Sequence, residues 1–185
     1  TCASVTVTVY PLPGVPTAGV SNAFSVLPVA ARRLFIVAVP ATLTAGQRYA
    51  LTVEVRDGSG TRVAAATDAV TLALTVGTGT AGARLRSAAN LTVNASSGIA
   101  TFSAVYIDSA GTGYTLTATA PGLTSHTSTA FAVAPAPPVV LAFVTQPSSR
   151  TAGSVFAPAV QVQLRDSLGN TTTGQVAGVT LGITP

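Results

Sequence analysis

The chain repeats its own sequence at a spacing of 107 to 109 positions, and this repetition limits its fold more than any other feature. Residues 34–46 recur 107 positions later as residues 141–153, with Leu, Val, Pro and a Thr-Ala-Gly triplet matching in order. After a two-residue insertion, residues 53–57 recur as residues 162–166, now 109 positions apart. Self-similarity at a fixed period predicts an array of similar structural units.

The repetition divides the chain into three parts. Residues 128–135 have counterparts in residues 21–28. Residues 1–30 are therefore predicted to be the C-terminal strands of one repeat, 31–138 a complete repeat, and 139–185 the N-terminal strands of a third. Because the chain starts without Met, we expect it to be processed or cut from something longer. We also expect both terminal parts to be ordered only by contact with other polypeptide, since a lone strand pair is marginal in water.

Each repeat is predicted to consist of β-strands, because apolar and polar residues alternate. In residues 51–56, for example, Leu, Val and Val alternate with Thr, Glu and Arg. Clusters of Gly, Asp, Asn and Ser separate such segments and indicate turns. The predicted strands of the complete repeat are 33–39, 48–56, 69–76, 83–93 (broken), 98–107, 113–119 and 125–133. Seven short strands in a unit of this size predict an all-β fold, an immunoglobulin-like β-sandwich in tandem repeats of about 107 residues.

Two local patterns sharpen this prediction. Asp108, followed by Tyr114 near the start of the sixth strand, resembles a tyrosine corner, in which the Tyr hydroxyl binds the backbone a few residues upstream. In the fifth strand, the residues predicted to face the core change from even-numbered to odd-numbered positions along the chain. One extra residue would reconcile the two sets, so a β-bulge is predicted near Ser103 and Ala104. The single Cys and the lack of Trp exclude an antibody-type domain.

Composition excludes several classes of protein. Charged residues are 8% of the chain, against roughly 25% in an average soluble domain. No apolar run reaches the roughly 18 residues of a transmembrane helix. The net charge is +4, and all nine basic residues are Arg. They are scattered, the nearest approach to a cluster being Arg32 and Arg33 with Arg84 and Arg86, so no nucleic-acid partner is expected.

The residues singled out have structural rather than chemical roles. Asp57 recurs as Asp166 and starts a Gly-containing turn each time, which its carboxylate is expected to cap. His126 is the only His, and no catalytic residue or cofactor is predicted. Carboxylates are too sparse for a dedicated metal site, although a Ca²⁺ ion at a junction between repeats is left as an alternative. Asn170 starts one of three Asn-X-Ser/Thr sequences, which are attributed to turn composition.

A proline-rich segment separates the second repeat from the third. Pro135, Pro137 and Pro138 lie within residues 134–138. Such segments prefer the extended polyproline II conformation and behave as semi-rigid spacers. The sequence therefore predicts a stiff linker at this boundary.

Five segments carry a family resemblance. They are residues 141–147 with the Thr-Ala-Gly that follows, 165–170, 98–102 and 111–116. The chain resembles bacterial Ig-like repeats, which occur in tandem in large secreted and surface proteins such as invasin- and intimin-like adhesins. The resemblance covers essentially the whole chain, implies an extracellular location, and brings no catalytic residues.

The expected function is a non-enzymatic structural repeat of a bacterial surface stalk, fibre or sheath. Two alternatives are an adhesin module that binds a host protein or glycan, and an accessory domain of a secreted hydrolase. The outward faces are expected to be Thr, Ser and Ala, and so poor in charge that neighbouring copies or a glycan coat cover them. The expected partners are therefore other copies of the same protein.

Overall fold

The structure is a computed structural model that describes residues 3–9, 19–26, 30–174 and 178–182. Every regular element in these ranges is a β-strand, as predicted. None of their segments forms a helix long and apolar enough to cross a membrane. Cys2 and parts of both terminal regions lie outside the described residues.

The strands are short, and two- to four-residue strands outnumber longer ones. In chain order they are β1 (Ala3–Val5), β2 (Thr8–Val9), β3 (Gly19–Val20), β4 (Phe24–Val26), β5 (Arg33–Ile36), β6 (Thr42–Thr44), β7 (Tyr49–Arg56), β8 (Ala69–Leu74), β9 (Leu85–Ser87), β10 (Thr92–Asn94), β11 (Ile99–Ile107), β12 (Gly111–Tyr114), β13 (Leu116–Thr119), β14 (His126–Thr127), β15 (Phe131–Ala134), β16 (Val140–Thr145) and β17 (Gln161–Arg165).

Strands β5 to β15 form a two-layer sandwich. The first sheet has the order β5-β7-β11-β9, and the second sheet has the order β10-β8-β13-β14. The chain continues from β12 into β13 and from β14 into β15, so the three-stranded sheet β12-β15-β6 extends the second sheet. Strand β6 pairs with β15 in parallel, whereas the other strand pairs of the sandwich are antiparallel. This order is that of an immunoglobulin-like sandwich, so the predicted fold class is confirmed.

The predicted broken strand at 83–93 forms two strands in different sheets. Strand β9 pairs with β11 in the first sheet, and β10 pairs with β8 in the second. The chain crosses from one layer to the other at residues 88–91. In the sequence, the break is visible as an interruption of the alternation between apolar and polar residues. In the structure, it is the point where the chain changes from one sheet to the other.

The core lies between the two sheets. Its largest fully buried side chains are Tyr114, Phe102, Leu34, Leu72, Ile107 and Leu116. Complete burial of an apolar side chain of this size contributes about 1.5–3 kcal/mol to stability. The predicted bulge in β11 is confirmed, because its register against β7 shifts between Phe102 and Val105 and Ala104 has a φ of 57°. The bulge turns residues of both parities into the core.

The pair β16–β17 reproduces the geometry of β5–β7. Arg33 lies opposite Arg56, and Val140, 107 positions on from Arg33, lies opposite Arg165, which is 109 positions on from Arg56. The backbone hydrogen bond from Arg32 N to Arg56 O, 2.9 Å, recurs from Val139 N to Arg165 O at 2.8 Å. Positions related by the sequence repeat thus have the same backbone pairing.

Two aromatic residues of this C-terminal region, Phe143 of β16 and Phe156 before β17, occupy positions at which the alternation favours a core, and the structure contradicts this. Phe143 and Phe156 are 46% and 50% exposed. Leu141 is 55% exposed, whereas its counterpart Leu34 is 1% exposed. The second sheet covers Leu34, and no second sheet covers β16–β17 among the described residues.

Candidate functional site: a joint between the sandwich and the C-terminal strand pair

Two turns begin with an aspartate that caps the turn. In the first aspartate turn, residues 57–61, Asp57 Oδ1 accepts hydrogen bonds from the backbone N–H groups of Ser59 and Thr61, both at 2.9 Å. In the second aspartate turn, residues 166–170, Asp166 Oδ1 accepts from Leu168 N and Asn170 N, also at 2.9 Å. Asp is common at the start of such turns because its short side chain can accept a hydrogen bond from the backbone N–H two residues later.

The second aspartate turn also binds the sandwich, through Asn170. The side-chain Oδ1 of Asn170 accepts a hydrogen bond from Ala110 N at 2.9 Å, and its Nδ2 donates to Asp108 O at 3.1 Å. Nδ2 also donates to Asp166 Oδ2 at 2.9 Å. One amide therefore connects the turn to residues 108–110, which lie between β11 and β12.

The proline-rich linker joins the same network. Ala136 N donates to Asp166 Oδ2 at 3.0 Å. Proline has no backbone N–H, so Ala136 supplies the one backbone donor between Pro135 and Pro138. The carboxylate that caps the turn thus also holds the linker, and Asp166 is only 1% exposed.

An apolar contact lies beside these hydrogen bonds. A Cβ atom added at Gly46 would lie 2.9 Å from Leu168 Cδ1, so the Leu168 side chain packs directly against this glycine. Gly46 belongs to the Thr-Ala-Gly triplet and has a φ of +75°. The two sequence signatures that recur in the chain therefore meet here. We call the contact of residues 166–170 with Gly46, residues 108–110 and the linker the joint.

The sandwich side of the joint is held rigidly. The Tyr114 hydroxyl donates to Ser109 O at 2.8 Å, the hydrogen bond that defines a tyrosine corner. Asp108 Oδ1 accepts from Arg84 N at 2.9 Å, and its Oδ2 accepts from Arg86 Nε at 3.0 Å. The side chains of Tyr114 and Arg86 and the backbone N–H of Arg84 thus hold the segment that Asn170 binds.

The carboxylates of the joint favour the charged form. Burial alone would raise the pKa of Asp166, but hydrogen bonds from the Asn170 side chain and from three backbone N–H groups outweigh it and lower the pKa below 3.8. Burial would also raise the pKa of Asp108, but hydrogen bonds from Arg84 N and from the Arg86 side chain outweigh burial and lower it. The hydroxyl of Ser59 is the main reason why the pKa of Asp57 is lowered. The joint is built around charged acceptors.

Sequence reasoning found Asp166, Asp108, Tyr114 and the prolines but did not bring them together. It missed Asn170 and Leu168 as contact residues. The two aspartate turns differ at these positions: the first turn has Thr61 where the second has Asn170, and Ser59 where the second has Leu168. A comparison of the two turns residue by residue is the signal that would have identified them.

His126 has a structural position. Its Nδ1 accepts a hydrogen bond from Ile36 N at 3.2 Å, and its ring lies 4.8 Å from that of Phe35. Burial, with the nearby charges of Arg56 and Arg33, lowers the pKa of His126. Within the part of the chain that the structure describes, no three His, Cys, Asp or Glu side chains are grouped closely enough to hold a metal ion.

No family model matches the chain, and no curated protein matches it in sequence. Three solved structures are similar to it in part. A β-glycosidase from Bacteroides vulgatus is 12% identical with a TM-score of 0.45, over 72% of this chain and 18% of that chain. Domains 4–9 of the surface layer protein SbsC are 16% identical with a TM-score of 0.44, over 92% and 25%. The Escherichia coli adhesin FdeC is 17% identical with a TM-score of 0.46, over 92% and 53%.

The chain therefore spans about half or less of the length of each of these three proteins. At such identities and TM-scores, the fold assignment rests on the strand order and pairing of this chain alone.

Proposed function

We propose that the chain is part of a tandem array of immunoglobulin-like sandwiches that acts as a stiff, non-enzymatic stalk, fibre or sheath outside a bacterial cell. In this proposal residues 31–138 are one complete unit, residues 1–30 end the unit before it, and residues 139–185 begin the unit after it. The repeated sequence and the equal registers of β5–β7 and β16–β17 support this division. The resemblance to bacterial Ig-like repeats supports the location.

The joint is the observation that carries the proposal. A flexible linker alone would leave neighbouring units free to rotate. Here Asn170 and Asp166 bind the corner and the linker with hydrogen bonds of 2.9–3.1 Å, and Leu168 packs on Gly46. Such contacts restrict rotation between units, which is what a load-bearing or spacing element requires.

Replacing Asn170 with Thr is expected to loosen the joint. Threonine is the residue at the equivalent position of the first aspartate turn, so the turn itself should be retained. It cannot reproduce the paired amide contacts with Ala110 N and Asp108 O. Spin labels on Thr101→Cys and Gln161→Cys, in a Cys2→Ser background, would report the distance between the two units.

The expected result is a narrow distance distribution in the parent chain and a broad one in Asn170→Thr. The matched control is Asn90→Thr, which changes an exposed asparagine away from the joint. A distribution that is already broad in the parent chain would show that the units are not held stiffly, and the proposed stalk function would fail.

Lateral association of copies is the second part of the proposal. The strands β8, β10, β13 and β14 of the second sheet contain no Asp, Glu, Arg or Lys. On the outer face of this sheet, Thr71 hydrogen-bonds to Thr92 at 2.8 Å, and Thr117 to Thr127 at 3.2 Å. Charge therefore does not guard this face against association.

We expect the chain to self-associate through this face. Thr71→Glu with Thr119→Glu would place like charges there and should shift the sedimentation coefficient toward that of a monomer. Thr101→Glu with Ser103→Glu, on the exposed face of the first sheet, is the control and should leave association unchanged. A parent chain that stays monomeric at high concentration would contradict this expectation.

A further inference from the structure

The structure assembles an arginine row that the sequence does not show. In the first sheet Arg33 lies directly opposite Arg56, and Arg56 lies directly opposite Arg62. Directly opposite residues project from the same face with Cβ atoms about 4.5–5.5 Å apart. Arg32, which is exposed, precedes Arg33. Arg84 and Arg86, which the sequence grouped with Arg32 and Arg33, lie instead at the far end of β11 beside Asp108.

The acidic residues at this end of the sandwich leave most of the row unpaired. Glu54 forms an ion pair with Arg56 at 2.8 Å. Asp57 is buried and directs Oδ1 into its own turn, and Asp68 precedes β8 in the other sheet. Within the described residues Arg32, Arg33 and Arg62 form no ion pair. Residues 1–30, which precede the sandwich, contain no Asp or Glu.

The fold does not require this row. The equivalent positions of the third unit keep the same pairing, with Val140 opposite Arg165 and Arg165 opposite Thr171. Like charges directly opposite each other destabilise a sheet. The backbone pairing is therefore kept when Val and Thr stand in place of Arg33 and Arg62.

The row also stays accessible when the neighbouring turn is docked. In the third unit, where residues 166–170 bind the joint, Val140 is still 48% exposed and Thr171 is also exposed. The positions equivalent to Arg33 and Arg62 are therefore open to solvent beside the docked turn.

We infer that the row of Arg33, Arg56 and Arg62, with Arg32 beside it, binds a polyanionic polysaccharide that carries sulfate or phosphate groups. Guanidinium groups bind such oxyanions through paired hydrogen bonds. An open row, rather than an enclosed cavity, suits successive anionic groups of a polymer. The choice of a polysaccharide rests on the proposed extracellular function.

The aromatic residue that contacts the row argues against a single-stranded nucleic-acid partner. The Phe35 ring has the Arg56 guanidinium 3.7 Å from its centroid and the His126 ring 4.8 Å away. It is therefore already stacked, whereas single-stranded nucleic acids are bound largely by base stacking on free aromatic faces. The positive charge of Arg56 and Arg33 also helps to lower the pKa of His126, after the larger effect of burial.

The test uses a double variant that carries both Arg33→Val and Arg62→Thr. Its binding to anionic polymers is compared with that of the parent chain. Val and Thr are the residues of the third unit at the same positions, so the fold should be retained, and thermal unfolding would verify this. The probes are heparin for sulfate, dextran phosphate for phosphate, uncharged dextran and duplex DNA, at about 50 mM salt and above. Arg48→Thr with Arg150→Thr removes the same charge elsewhere and is the matched control.

We expect the parent chain to bind heparin or dextran phosphate, and the double variant to bind about tenfold more weakly with a smaller salt dependence. The polymer bound more tightly identifies the anionic group. Failure to bind both polymers, equal loss in the Arg48→Thr and Arg150→Thr control, or equally tight binding of duplex DNA would each overturn the inference. If the double variant unfolds, Arg62→Thr alone replaces it and should weaken binding in the same direction. The spin-label distances across the joint do not depend on these arginines, so they test the stalk function separately.

Discussion

Replacing Tyr114 with Ala is expected to destabilise the sandwich by about 3–5 kcal/mol, the usual cost of removing a large buried aromatic side chain. The ring is fully buried and stacks on Phe131 with centroids 5.9 Å apart. A Cβ atom added at Gly79 would overlap the Tyr114 ring, and one added at Gly111 would overlap the Thr80 hydroxyl. Both glycines are therefore packed closely around the corner. Chemical denaturation followed by circular dichroism would measure the change.

Tyr114→Phe separates the hydrogen bond from the packing. It retains the ring and removes the bond to Ser109 O, so the expected loss is about 1 kcal/mol. Tyr106→Phe, in the outward-facing side of β11, is the matched control and should change stability little. If Tyr114→Phe were as stable as the parent chain, the corner bond would contribute nothing to the fold.

Replacing Asp166 with Ala is expected to open the joint. The carboxylate accepts hydrogen bonds from Ala136 N, Leu168 N, Asn170 N and Asn170 Nδ2. Leaving a buried donor without a partner costs about 1–3 kcal/mol each. Amide hydrogen exchange should therefore accelerate at Ala136, Leu168 and Asn170, and the spin-label distances across the joint should broaden.

The same substitution should remove an acid dependence of the joint. Because the pKa of Asp166 is lower in the folded chain than the ordinary 3.8, its stabilisation is fully present above about 3.8. It is lost as the pH falls through the folded pKa. As the pH falls below 3.8, the joint of the parent chain should therefore loosen more than the joint of the Asp166→Ala variant does.

Asp57→Ala is the matched control for this experiment. It removes the equivalent cap in the first aspartate turn, where Oδ1 accepts from Ser59 and Thr61. It should increase exchange in residues 57–61 and leave the distances across the joint unchanged. Equal broadening in both variants would mean that the joint depends on general stability and not on the contacts of Asp166.

Much of the sandwich follows from local sequence patterns. Alternation in residues 51–56 identifies β7, because neighbouring side chains of a strand face opposite sides. The change of parity in β11 indicates the bulge for the same reason. The interruption at 83–93 was visible, but its meaning was not, since only the pairing partners show that β9 and β10 lie in different sheets.

The candidate site divides in a similar way. The Asp166 turn was evident from its Asp and Gly residues, because turn capping operates within a few positions of the chain. The contacts of Asn170 with residues 108–110 bridge about 60 positions. No local pattern carries such a contact, and the Asn alone fits an ordinary turn equally well.

The sequence by itself determined the strands, the turns, the bulge and the repetition, since each depends on residues that are neighbours along the chain. Only the tertiary structure decided that the second aspartate turn meets the tyrosine corner, and that Arg33, Arg56 and Arg62 stand in one row. Both depend on which strands pair and in what register. That choice is made by burial of the whole core between two sheets, a property of residues far apart in sequence.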